Sequence, residues 1–201
     1  MKLPINHCLL IAGLFLASQS AVADDVSPAV REKAASCMSC HGANGNSTQG
    51  KYPSLTGQNS TYLYLQLKDF MTGRRTDPEM SAMAATISDK AEALELAKFF
   101  SALPQFQYRA KGEQAFSPDA SRASRGAVIA ERTICTMCHG AALKGGGDVP
   151  RVQGQQPDYV RKQIRAFRDG DRSNDGGSMK GALGAITDDE IEDLVHFIAT
   201  Q

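Results

Sequence analysis

The chain has no excess charge of either sign. Its 22 Lys and Arg residues are balanced by 22 Asp and Glu among 201 residues. That balance excludes a strongly basic nucleic-acid binder and leaves no global field to steer a charged partner. Beyond residue 23 no run reaches the ~18 apolar residues that a membrane-spanning helix needs. Alternating apolar and polar runs of the kind that mark strands are missing as well. The chain has five cysteines, too few for a disulfide scaffold of this size. The hydrophobic share of 42% is close to a globular average, which argues against wholesale disorder.

Residues 1–23 read as a secretory leader rather than as fold. Lys2 gives a short basic start, an apolar run extends from Cys8 to Ala17, and Ala21-Val22-Ala23 forms a small-x-small cleavage site before Asp24. The run is short for a retained anchor, and Cys8 lies inside it, away from the cleavage site, a poor place for lipidation. An exported, oxidising compartment is expected.

The other four cysteines fall in two constellations of one form, Cys37-Met38-Ser39-Cys40-His41 and Cys135-Thr136-Met137-Cys138-His139. Each is C-x-x-C-H, a covalent haem attachment pattern. Thiols three residues apart on one helical turn can reach two vinyl groups of one porphyrin, and the following histidine can then meet the iron. A C-x-x-C redox dithiol would be expected beside a βαβ pattern, which is absent. A zinc site built from two C-x-x-C pairs does not explain why a histidine follows both.

The chain also repeats itself. Shifted by 97 to 99 residues, Tyr52–Gln58 matches Val149–Gln155, and Tyr62, Leu63, Gln66, Leu67, Phe70 and Gly73 match Tyr159, Val160, Gln163, Ile164, Phe167 and Gly170. Two units are expected, 24–104 and 121–201, joined by a linker at 105–120. A unit this short has difficulty burying enough apolar surface by itself, and a covalently held haem would supply part of its core.

The periodicity is helical, so an all-α fold is expected. Helices should lead into each motif, over 30–36 and 121–134. Leu63, Leu67 and Phe70, like Val160, Ile164 and Phe167, make one apolar face, with Gly73 and Gly170 placed to cap. The last helix of each unit should begin at Ser88 and at Thr187. Thr187-Asp188-Asp189-Glu190 has capping-box form, and Ile191, Leu194, Val195 and Ile198 should be buried.

What closes the sixth iron position decides between carrier and enzyme. His196, the one histidine outside the motifs and the leader, is expected to face water. After Cys138 the only methionine is Met179, and Met80 holds the matching place in the first unit, seven residues before Ile87 as Met179 is before Ile186. Met83, its competitor, aligns with Ala182. His41 with Met80 and His139 with Met179 are therefore the expected iron ligands. A neutral thioether favours ferrous iron, and a closed coordination sphere restricts the haem to passing electrons. The carbonyls of Pro53 and Pro150 are the expected acceptors for the ring N–H of His41 and His139. Peroxidase chemistry needs an open or displaceable ligand and a distal acid–base group. Neither is evident, so no enzymatic activity is expected.

In motif order the sequence resembles the cytochrome c4 family: C-x-x-C-H, then P-x-(L/V)-x-G-Q, a Tyr-bearing helix, and a methionine loop, Asp77-Pro78-Glu79-Met80 or Asn174-Asp175-Gly176-Gly177-Ser178-Met179. The resemblance spans essentially the whole chain after the leader. It implies two tandem class I cytochrome c domains related by a pseudo-twofold axis, two covalently bound c-type haems held by Cys37, Cys40, Cys135 and Cys138, and propionates that approach one another at the domain interface. It further implies a periplasmic electron carrier between a quinol–cytochrome c reductase and a terminal oxidase, with peripheral membrane association. The second methionine loop departs from the D-P-x-M form. The alternative is the cytochrome subunit of a dehydrogenase complex, such as a flavocytochrome sulfide dehydrogenase. Arg161, Arg165, Arg168 and Arg172 fall at helical spacing and would form a cationic stripe, either a docking face or a solvated one.

Overall fold

A computed structural model describes residues 26–106, 108 and 116–201. The expected leader and part of the expected linker lie outside the described residues.

Helix α1, Pro28–His41, starts where the Ser27 hydroxyl accepts the Val30 N–H at 3.4 Å. It runs unbroken through the first C-x-x-C-H motif until Gly42, with φ 82°, turns the chain. A 3₁₀ turn follows at Ala43–Gly45, then α2 (Ser60–Met71), α3 (Pro78–Ala84) and α4 (Lys90–Ala102). The second half repeats the scheme with α5 (Ala120–Arg132), α6 (Cys135–His139), α7 (Pro157–Asp169), α8 (Ser178–Leu183) and α9 (Asp188–Ile198). Among the described residues the only β pairing is an isolated bridge between Gly146 and Val149. The fold is all-α.

Three details differ from the sequence reading. The helix expected over 121–134 stops at Arg132, because Ile134 takes the left-handed conformation at φ 52° and separates α5 from α6. A β-branched residue is strained there. The fourth helix is capped by Asp89, whose carboxylate accepts the Glu92 N–H at 2.9 Å, and Ser88 instead donates its N–H to Glu92. Gly170 caps α7 as expected, whereas Thr72 caps α2 and Gly73 follows it with φ 72°. The Thr187–Glu190 capping box forms as read.

Each half closes its own core. Val30, Ala34, Leu63, Ile87, Leu96 and Phe100 are buried together in the first, and Ile129, Val160, Ile164, Phe167, Ile191, Leu194 and Ile198 in the second. Helices α5 and α9 meet closely because residue 126 is glycine: a Cβ there would lie 2.1 Å from the Asp193 carbonyl oxygen. The same crossing is clamped by the buried Asp193 carboxylate, which accepts from Arg125 at 2.7 and 2.8 Å and from Arg122 at 3.1 Å.

The halves meet through reciprocal amide clasps. Gln58 donates to the Arg151 carbonyl at 2.8 Å and accepts its N–H at 2.7 Å. Gln155 does the same to Ser54, at 2.9 and 2.7 Å. Gln58 and Gln155 are matched positions of the repeat, as are Ser54 and Arg151. Each unit thus makes to the other the contact it receives, which is the signature of a twofold interface.

Candidate functional site

One continuous cavity of about 710 Å³ runs between the two halves. Its walls bring together Cys37, Cys40, His41 and Met80 from the first unit and Cys135, Cys138, His139 and Met179 from the second. All eight expected site residues therefore lie on the one cavity. Apolar side chains fill in between them, including Leu63, Phe70, Ile164 and Phe167. Met83 also reaches the wall but is more exposed than Met80. His196 lies elsewhere: its Nδ1 accepts the Asp119 N–H at 2.8 Å and its ring stacks near Phe116.

The histidines are prepared as ligands. Nδ1 of His41 lies 2.8 Å from the Pro53 carbonyl oxygen, and Nδ1 of His139 lies 2.9 Å from that of Pro150. A carbonyl can only accept, so the proton sits on Nδ1 and Nε2 keeps its lone pair. Burial pushes both imidazoles below the ordinary histidine range, against the opposing pull of the carbonyls. A neutral ring is the form a metal requires. Burial likewise raises the thiols of Cys37 and Cys135, an environment suited to an uncharged thioether.

Each methionine is presented by a short helix whose start is held by an aspartate. The Asp77 carboxylate accepts the N–H of Glu79 at 3.2 Å and of Met80 at 3.1 Å. In the second unit Asp175 accepts the N–H of Gly177 at 3.1 Å and of Met179 at 2.6 Å. The missing D-P-x-M form is thus replaced by an aspartate one position earlier, doing the same work.

Two arginines that the motif reading did not single out as a pair complete the cavity. Arg75 and Arg172 occupy matched positions of the repeat and lie over the rings of Phe70 and Phe167, at 4.6 and 4.3 Å from the centroids. Both contact Gln66 and Gln163. Arg75 also reaches the Tyr159 hydroxyl at 2.9 Å, and Arg172 the Tyr62 hydroxyl at 3.2 Å. Arg172 is 8% exposed. Neither guanidinium forms an ion pair with a carboxylate among the described residues. Buried cations without anions are costly, and the carboxylates of a porphyrin would supply them. With the paired thiols, the neutral imidazoles and the apolar walls, the residues fit two covalently held haems. The signal available in the sequence was the repeat itself, which keeps an arginine at 75 and at 172.

The expected cationic stripe does not form. Helix α7 ends at Asp169, so Arg172 leaves the row for the inter-unit contact. Arg161 pairs with Glu192 at 2.6 Å, Arg165 with Asp188 at 3.4 Å, and Arg168 with Asp188 at 2.8 Å. Asp188 and Glu192 of α9, with Asp158 and Asp169 of α7 itself, neutralise the row.

Comparison with known proteins agrees with this architecture. The cytochrome c family model matches twice, over residues 31–103 and 123–201. A cytochrome c4 from Pseudomonas aeruginosa is 34% identical over 178 residues, covering 83% of this chain and 84% of that protein. A thiosulfate dehydrogenase electron acceptor from Stutzerimonas stutzeri is 34% identical over 199 residues, covering 94% and 91%. Among solved structures, reduced recombinant cytochrome c4 from Pseudomonas stutzeri is similar with a TM-score of 0.73 at 29% identity, over 85% of this chain and 96% of that one. The thiosulfate dehydrogenase TsdBA from Marichromatium purpuratum is similar with a TM-score of 0.69 at 28% identity, over 82% of this chain and 36% of that one.

Proposed function

The chain belongs to the cytochrome c4 family and carries two covalently bound c-type haems, and from that premise we propose that it works in the periplasm, taking single electrons from a reductase and delivering them to a terminal oxidase. The observation that carries this reading is the convergence of both Cys-Cys-His-Met sets on one cavity.

The haem iron, when bound, takes up and releases one electron at a time. The chain's own residues do the rest. Cys37 and Cys40, and Cys135 and Cys138, would anchor the rings as thioethers. His41 and His139 would ligate the iron, each ring held in its tautomer by a proline carbonyl. Met80 and Met179 would supply thioether ligands, their backbone held by Asp77 and Asp175. Arg75 and Arg172 would offset the charge of porphyrin carboxylates. Apolar side chains such as Leu63, Phe70, Ile164 and Phe167 would keep reorganisation small.

The direct test is electron delivery. The reduced protein should be oxidised by membranes containing a haem–copper terminal oxidase, and reoxidised protein should be reduced by quinol–cytochrome c reductase. If both rates are negligible while small-molecule redox agents react readily, the respiratory placement fails.

A second reading is favoured by the relatives named as electron acceptors of thiosulfate dehydrogenase, and by the likeness to part of the TsdBA chain. In it the donor is a periplasmic dehydrogenase of an inorganic sulfur compound. It is a form of the dehydrogenase-complex alternative considered from sequence, with a thiosulfate enzyme in place of the flavocytochrome example. Thiosulfate with purified thiosulfate dehydrogenase should then reduce both haems. Absence of reduction, with quinol–cytochrome c reductase active, would discard it.

A further inference from the structure

The methionine loops are held from across the molecule. In the first unit the loop runs from Arg75 through Asp77 to Met80. Helix α7 of the second unit grips it at two points: Tyr159 and Gln163 accept from Arg75 at 2.9 and 3.1 Å, and Lys162 donates to the Asp77 carboxylate at 3.0 Å. Asp77 is the same carboxylate that accepts the Met80 N–H. In the second unit the loop runs from Arg172 through Asn174 and Asp175 to Met179. Helix α2 of the first unit grips it in turn: Tyr62 and Gln66 accept from Arg172 at 3.2 and 2.9 Å, and the Asn174 amide donates to Asp69 at 2.6 Å and to Gln66 at 3.0 Å. Asp175, next in sequence, accepts the Met179 N–H.

The Arg–Tyr–Gln part obeys the pseudo-twofold. The remaining grip does not. The residue matching Lys162 in the first unit is Leu65, and the residue matching Asp69 in the second is Ala166. One crossed contact is an ion pair with an exposed lysine; the other is a hydrogen bond to a buried carboxylate. Each unit has therefore acquired a different device for the same job, on a helix facing the opposite loop.

We propose that each unit positions the axial methionine of the other, with Lys162 as the positioning residue for Met80 and Asp69 as the positioning residue for Met179. This rests on the reading of Met80 and Met179 as ligands. Docking of the two units and retention of the sixth ligand are then one event, and a disturbance at one haem's helix is felt at the other haem's iron.

The test is a crossed substitution in the full-length holoprotein. Methyl resonances of iron-bound methionine are followed by paramagnetic NMR and assigned to sites with Met80→Ala and Met179→Ala, and the rate of carbon monoxide uptake is followed at each reduced haem. Lys162→Leu should alter the Met80 resonance and raise carbon monoxide uptake at the first haem about two- to fivefold, the yield of an exposed ion pair. Lys162→Arg should restore it. Asp69→Ala should act on the second haem, about tenfold, as expected for a buried charged acceptor, and Asp69→Asn should do so more weakly. Effects on the haem of the substituted residue's own unit, or on neither, would overturn the proposal. Fewer than two bound-methionine resonances in the unsubstituted protein would overturn the ligand reading, and this inference with it.

Discussion

A single carbonyl decides the chemistry of each histidine. Because Pro53 and Pro150 can only accept, they fix the tautomers of His41 and His139 and free Nε2 for metal. This arrangement was legible in the sequence, since a proline stands 12 and 11 residues after each motif histidine. Asp193 was not legible: it sits within an acidic helix and reads as solvated. In the structure it is buried, and its bonds to Arg125, with the further charge of Arg122, hold its carboxyl below the usual carboxylate range. Asp193→Asn should cost about 1–3 kcal/mol in denaturant unfolding at neutral pH. A carboxyl depressed in the folded state contributes stability that is present above its unfolded value of about 3.9 and is lost as pH falls through the folded value. The gap between Asp193→Asn and the unsubstituted protein should therefore close as pH falls below about 4. A gap that does not change with pH would show that the charge is not what the clamp uses.

Among the elements, the short methionine helices depend most on their caps. Asp175→Ala removes the acceptor of the Met179 and Gly177 N–H groups and should cost about 1 kcal/mol in unfolding. It should also weaken the far-red methionine–iron absorption by the share of one haem, and leave the other half intact. An unchanged spectrum would mean the second loop does not need its cap. The break at Ile134 is a second element-scale feature. Its φ of 52° suits asparagine better than a β-branched residue, and the side chain is 44% exposed. Ile134→Asn should raise stability by about 1 kcal/mol, read as an upward shift in thermal midpoint. A fall would mean that the isoleucine side chain contributes more than the strain costs. The apolar faces of α2, α7 and α9 were legible because their periods are long and clean. The break before Cys135 was not, because nothing in the Arg132–Cys135 stretch carries a glycine or proline to announce it.

At the scale of the whole molecule, the repeat foretold two like halves but not how they join. The joining residues, Gln58 with Gln155, Arg75 with Arg172 and Tyr62 with Tyr159, are polar and so look like surface when each half is read alone. Only their recurrence in both halves hints that they face one another. Reciprocity gives a test of the join: Gln58→Ala and Gln155→Ala each strand a backbone N–H and a carbonyl of the opposite unit. They should cost similar amounts, about 1–3 kcal/mol apiece, in calorimetry. A large inequality would argue against a twofold clasp. The two haems and the carrier role follow from the assembled cavity. The partners are left to experiment, since carboxylates of α9 and of α7 itself neutralise the arginine row that a docking surface would have used.

The central claim is that both irons are closed by imidazole on one side and thioether sulfur on the other. The most direct measurement is a potentiometric titration of the purified protein with optical detection from the visible to the near infrared. Two low-spin c-type haems, each taking one electron, with methionine–iron absorption in the oxidised form that accounts for both, are the predicted result. A high-spin ferric spectrum at rest, or methionine absorption from only one haem, would contradict it.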